Sequence, residues 1–373
     1  MRARRRLAVC AAAILSGALL LTGCSGDDPH RSDAPEASAE PLAPLSELDV
    51  LDDPRGYEGP STAVLQHTEI EPVEEDPAQE LPATATSYGS DGSGSEVTVE
   101  KTDKVVAADL GGNISVTIAG LGFADSLVGV DQSTTLPSLQ DLPRVTSGGH
   151  TVNAESIIQL KPDLVITDGS VGPRDVIEQL EDVGIQVVFV KNEASFAGAE
   201  DLARQLAAIY GNPGAGEKLA DRIADEVEAK KAEIAEIAPT DPDQKVRIAF
   251  LYLRGTAGVY YLFGEESGAD QLIDALGAVD VAGELGWDGM KPMTDEALVA
   301  ANPDLILVMT EGLESVGGVD GLLDEKPAVA VTAAGEHRRF VDMEDGTILS
   351  FGPRSAGIID ALARAVYAPE SAE

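Results

Sequence analysis

Three side chains in this sequence have the types and spacing to hold a ligand: His150, Tyr252 and Arg254. His150 follows Gly148-Gly149, a pair that permits tight backbone geometry beside a bulky partner. An imidazole there either gives a lone pair to a metal or serves as a loop histidine bonded to backbone. Tyr252 ends the apolar run Ile248-Ala249-Phe250-Leu251, which reads as a strand. Strand ends of α/β sheets are where ligand crevices open. A strand tyrosine is otherwise a half-buried aromatic with its hydroxyl bonded to backbone. Arg254, two residues on, projects to the same side if the strand continues. Its guanidinium would stabilise a phenolate at Tyr252, pair with an anionic group of a ligand, or simply lie on the surface.

These residues need a scaffold, and the hydrophobic pattern supplies one. Short β-rich runs such as Val105-Val106-Ala107, Leu164-Val165-Ile166, Val187 to Val190, Ile248 to Leu251 and Leu305 to Val308 alternate with helical patterns such as Asp175 to Asp182 and Gly198 to Tyr210. Strands separated by helices predict parallel α/β sheets. One segment breaks the alternation. Gly216 to Ala238 carries Leu219, Ile223, Val227, Ile234 and Ile237 at largely helical spacing, and about 24 residues would make a helix of about 36 Å. It divides the globular part almost evenly. The expected architecture is therefore α/β, with two Rossmann-like lobes built on central, mostly parallel sheets and joined by one long backbone helix.

A local echo supports related lobes. Asn153 to Ile166 and Thr294 to Leu307 each read as a capped short helix, a Pro-Asp stop and a buried strand. Asn153 and Thr294 suit the cap position. Pro162 and Pro303 cannot continue a helix interior.

The ends of the chain set its surroundings. Arg2, Arg4, Arg5 and Arg6 precede an apolar run from Leu7 to Leu21, the layout of a secretory signal. Leu21-Thr22-Gly23-Cys24 resembles the lipobox of bacterial lipoproteins, which implies a diacylated Cys24 at the mature N-terminus and durable membrane attachment. Cys10 would leave with the leader, so the mature chain would have no disulfide, thiolate catalyst or cysteine metal site. The charge of −39 becomes −43 without the four leader arginines. Such acidity argues against nucleic acid. Residues 24–95, rich in Pro, Ala, Ser, Glu, Asp and Gly, read as an acidic disordered tether. The organisation expected is a signal peptide at 1–23, the tether at 24–95, an N-terminal lobe at 96–213, the spine helix at 214–239 and a C-terminal lobe at 240–373.

From about Val97 to Tyr367 the chain resembles the substrate-binding proteins of ABC importers that have a single spine helix, and within them the HmuT-type haem-binding lipoproteins. The residues that carry this are Gly148 to Glu155, Tyr252 to Gly255, Gly268 to Ile273, Met309 to Gly318 and Leu349 to Arg354. The resemblance implies haem b as transported ligand rather than resident cofactor, gripped between the lobes by His150 and Tyr252 as axial ligands. It makes Arg254 the partner of the phenolate and Met309 a residue packed on the porphyrin. Glu155 and Glu266, with Glu265 as an equally reasonable neighbour, would be permease contacts. A permease, its ATPase, the membrane and surface haem donors would be the partners of a monomer held outside the cytoplasm.

The chemistry agrees. The mature histidines are His30, His67, His150 and His337, and the first two fall in the tether. Zinc or manganese would want several imidazoles and a carboxylate, whereas ferric haem needs one or two axial donors and accepts histidine or tyrosinate. Trp287, Tyr260 and Tyr261 would line the cleft, and Arg144, Lys191, Lys291 and Arg354 are equal candidates for the propionates. A ferric siderophore or corrinoid carrier, and a lipoprotein sensor or adaptor, are the alternative readings. An exported enzyme finds no support, because no G-x-S-x-G elbow, H-E-x-x-H helix or phosphate loop occurs.

Overall fold

The computed structural model describes residues 42–255 and 260–371, so the leader and Cys24 lie outside the described residues. Two sheets flank one long helix. The first has four strands, all parallel, in the order Leu127–Val130, Val105–Ala108, Leu164–Thr167, Gln186–Phe189. The central strands Val105–Ala108 and Leu164–Thr167 are buried along their whole length, as strands covered on both faces must be.

The second sheet is mixed, in the order Ser61–Ala63, Phe340–Met343, Leu305–Met309, Arg247–Tyr252, Tyr261–Phe263, Met290–Pro292, with Val279–Asp280 also pairing with Arg247–Tyr252. Its first four strands are parallel, and Tyr261–Phe263 runs antiparallel to both its neighbours, Arg247–Tyr252 and Met290–Pro292. The spine helix spans Pro213–Ile237, with Pro213 at its first turn and the Asn212 side chain accepting from the Ala215 amide. Its 25 residues reach about 38 Å. It packs against Phe196–Ile209 on one side and Ser355–Tyr367 on the other, with Leu219, Ile223, Val227 and Ile234 buried.

The echoed units fold alike. Asn153 accepts from the Ser156 amide and opens the helix Ala154–Leu160, which Lys161 ends in left-handed geometry at φ 52°. Thr294 accepts from the Ala297 amide and opens Asp295–Ala301, which Asn302 ends at φ 45°. Each then leads through a Pro-Asp pair into a buried strand.

The expected tether is corrected from residue 42 onward. Leu45 is buried against the core that includes the spine helix, and Ser61–Ala63 pairs in parallel with Phe340–Met343 as an edge strand of the second sheet. Glu74 then binds Asn212 at 3.0 Å and pairs with Lys218 on the spine helix. Ala83–Tyr88 and Gly94–Val99 form a hairpin packed on the strand Gln186–Phe189 and the helix Phe196–Ile209. Residues 42–99 thus form a strap that touches both lobes. The composition misleads because this segment needs no core of its own: Leu45, Ala63, Leu65, Ala83 and Ala85 use apolar surface the lobes already present. The Ser90 to Ser95 stretch, read as linker, supplies the hairpin turn at Ser90 to Ser93 and the start of its second strand, with Asp91 accepting from the Ser93 amide and Gly92 at φ 76°.

Candidate functional site

The hairpin Thr146–Ser147/Thr151–Val152 has Gly148, Gly149 and His150 as its tip, all three at positive φ. Nothing would contact a Cβ added to either glycine, so backbone conformation, not crowding, explains them. The hairpin is docked from below: the Val152 amide donates to the Gly172 carbonyl at 2.7 Å, and the Gly172 amide to the His150 carbonyl at 3.2 Å. His150 is half-buried. Its Nε2 lies 3.4 Å from the Gln132 side-chain amide, while its Nδ1 is buried with no hydrogen-bond partner among the described residues.

Tyr252 closes the strand Arg247–Tyr252, half-buried and pointing to the face that holds Phe250. Arg254 is exposed and donates from Nη1 to the Tyr252 hydroxyl at 2.8 Å, so the two-residue spacing does place both on one side. Phe263 and Tyr261 meet the Tyr252 ring edge-on at 6.0 and 6.3 Å. The pairing of Leu251 with Val308 sets Met309 level with Tyr252 one step on. Met309 is half-buried against the main core.

Burial first, and the positive charge of Arg254 second, hold the His150 imidazole below its ordinary range. The guanidinium bonded to Tyr252 thus also disfavours the imidazolium of His150. Among the described residues no group of three or more His, Cys, Asp or Glu is placed to hold a metal ion. One oxygen donor, Tyr252, thus stands in the second lobe and one nitrogen donor, His150, in the first.

Several expected cleft residues sit elsewhere. Arg354 is buried and donates to Thr135 Oγ1 at 3.0 Å. With the bond from Ser350 to Asn113 at 2.9 Å, it joins the two lobes, and its burial leaves it unsuited to propionates. Arg144 is held by the Asp131 carbonyl at 3.1 Å. Lys191 stands over the Tyr88 ring beside a separate hollow of about 320 Å³. Lys291 is exposed but pairs with Leu262, one step out of register with Tyr252, and so faces the opposite side of the sheet. Tyr260 is buried with its hydroxyl on Asp295 at 2.7 Å, and Trp287 packs against the second lobe's core. Tyr261 alone of the three stands at Tyr252. Gln132 carries no motif; the β-bridge between Val130 and Arg144 and the bond from its backbone amide to Thr146 Oγ1 bring it beside the hairpin. Glu155, Glu265 and Glu266 are exposed, Glu155 in the first turn of Ala154–Leu160 and Glu266 just before Ala269–Ala275.

The N-lobe rim carries a further cluster. Asp109 follows Val105–Ala108 and caps the helix Asn113–Leu121 through the Asn113 and Ile114 amides. Burial pushes its carboxyl well above the usual range, helped by Asp131 and Asp168. Burial likewise lifts Asp131 to about 6, against the opposing bonds from Ser133 and Thr134.

Residues 108–346 match the periplasmic binding protein family. A curated relative, the uncharacterized ABC transporter substrate-binding lipoprotein YvrC of Bacillus subtilis strain 168, is 29% identical over 281 residues, 74% of this chain and 84% of its own. Among solved structures, heme binding protein HmuT is 41% identical with a TM-score of 0.77, covering 84% of this chain and 99% of that one. Periplasmic heme-binding protein RhuT from Roseiflexus sp. RS-1, in apo form, is 34% identical with a TM-score of 0.64, covering 73% of this chain and 100% of its own. HmuT has also been solved with a tyrosine, an arginine or a histidine changed to alanine, its tyrosine and arginine two positions apart as Tyr252 and Arg254 are. A match over residues 108–346, on a fold whose two sheets flank one spine helix, makes this chain a member of the periplasmic binding protein family.

Proposed function

We propose that this protein is the haem-binding component of an ABC importer, taking one haem b between its lobes as cargo and performing no chemistry on it. The observation that carries the reading is Arg254, bonded to the Tyr252 hydroxyl and felt by His150 in the facing lobe. A phenolate suits ferric iron, and a charge-assisted bond from a guanidinium favours that phenolate. His150 would supply the opposite axial position through Nε2, because its Nδ1 is enclosed. Ligating histidines ordinarily donate their other ring N–H to an acceptor, and His150 Nδ1 has none among the described residues. Tyr252 is therefore the principal ligand and His150 the weaker one. Half-buried Met309 and Tyr261, with exposed Leu110 at the opposite strand end, would offer apolar surface to the macrocycle.

The remaining roles follow from this reading. Cys24 would carry the lipid anchor that keeps the protein on the outer face of the cell membrane, and Glu155 and Glu266 would meet the permease, one from each lobe. Titrating the chain with hemin tests the core of the proposal. A Soret band saturating at one haem per chain is expected, and a protein that stays colourless overturns it in favour of a siderophore or corrinoid cargo.

A further inference from the structure

The nitrogen that His150 would offer to iron is already in use. Nδ1 is enclosed, and Nε2 sits 3.4 Å from the Gln132 side-chain amide. That contact joins two firmly held pieces of backbone. Asp131 accepts from the Ser133 amide at 2.7 Å and from the Thr134 hydroxyl, which fixes the turn around Gln132. The Gln132 amide itself donates to Thr146 Oγ1 at 2.8 Å, on the hairpin that carries His150. By contrast, the Gln132 side chain is exposed, so it can swing into solvent without uncovering a buried group.

Resting on the haem reading, we propose that Gln132 caps the iron-binding nitrogen of His150 in the cargo-free protein and must withdraw before that nitrogen ligates. It is a positioning residue: it holds the ring and limits how fast the histidine side of the site engages, and it does not touch the iron. A neutral side-chain hydrogen bond of this kind changes a rate by about two- to tenfold.

The test mixes hemin rapidly with the full chain and follows the absorbance change that is missing from His150→Ala, which isolates histidine ligation. Gln132→Ala should speed that phase by about two- to tenfold. Gln132→Asn, which stays polar but withdraws the amide by one methylene, should do the same. Neither change should alter the rate in the His150→Ala background. An unchanged or slower phase overturns the proposal, as does equal acceleration when His150 is already absent. If the wild type and His150→Ala develop one and the same spectrum, the cap has no function and the inference fails, while the persisting Soret band leaves haem binding intact. Absence of any Soret band removes the underlying reading instead.

Discussion

On the proposed reading His150 and Tyr252 serve one haem from two lobes, and they have opposite kinds of support. Tyr252 ends an interior strand, its ring fixed by Phe263 and Tyr261 and its oxygen bonded to Arg254. His150 sits at the tip of a two-rung hairpin, on left-handed backbone, and among the described residues its Nδ1 has no hydrogen-bond partner while its Nε2 meets the Gln132 side-chain amide. On that reading the tyrosine is preorganised by ring contacts and a charge-assisted bond, whereas the His150 ring, on a firmly docked hairpin, has only a neutral contact to orient it among the described residues. A preorganised donor costs less to recruit, so the C-terminal lobe should dominate affinity and the N-terminal lobe should tune coordination.

Tyr252→Ala is the harshest test of that asymmetry. It removes the stronger donor and should weaken haem binding by more than about 100-fold, the upper end of what losing an outer-shell partner costs. Arg254→Ala leaves the phenol in place and should cost about 10- to 100-fold by that same standard. Arg254→Lys should recover only part of it, because an ammonium on a flexible stem cannot reproduce the guanidinium's directed bond. Hemin titrations of the three variants give the ranking directly. If Arg254→Ala binds as tightly as the wild type, the bond between Arg254 and Tyr252 has no part in holding cargo.

His150→Ala should cost less than about tenfold, in keeping with a ligand that lacks an outer-shell acceptor. Its larger effect should be spectroscopic, a change from two axial ligands to one with the tyrosinate signature retained. Affinity falling as far as in Tyr252→Ala would reverse the roles assigned to the two lobes.

The two regions also differ in how readable they were. The Tyr252–Arg254 pair was legible because a strand has a period of two and that period alone sets both side chains on one face. The repeated helix-stop-strand units and the spine were legible for similar reasons: caps, prolines and apolar spacing act locally. The strap was not. Its few apolar positions are diluted by Pro, Gly and acids, and they become meaningful only against surfaces formed later in the chain. Gln132 was hidden likewise, since its partner is chosen by the pairing of distant chain segments. Arg354 shows the converse error: a cation near a cleft in sequence terms is spent joining the lobes at Thr135.

The smallest expected effect on cargo is the one that probes the N-terminal rim itself. Asp131 precedes Gln132 and is buried at the end of Leu127–Val130, its carboxyl lifted to about 6 from an ordinary 3.8. A group raised in the folded state contributes stability that is fully present below its unfolded value and lost as pH climbs through its folded one. The wild type should therefore lose stability from this source between about pH 4 and pH 6. Asp131→Asn cannot ionise and keeps an acceptor for the Ser133 amide. The difference in stability between wild type and variant should thus shift by on the order of 1–3 kcal/mol between pH 4.5 and pH 7, or several degrees in Tm, in favour of the variant at the higher pH. Thermal unfolding across that range measures it. Parallel pH profiles would mean that ionisation of Asp131 carries no cost, and the contrast between an electrostatically strained N-terminal rim and a prepared C-terminal one would lose its basis.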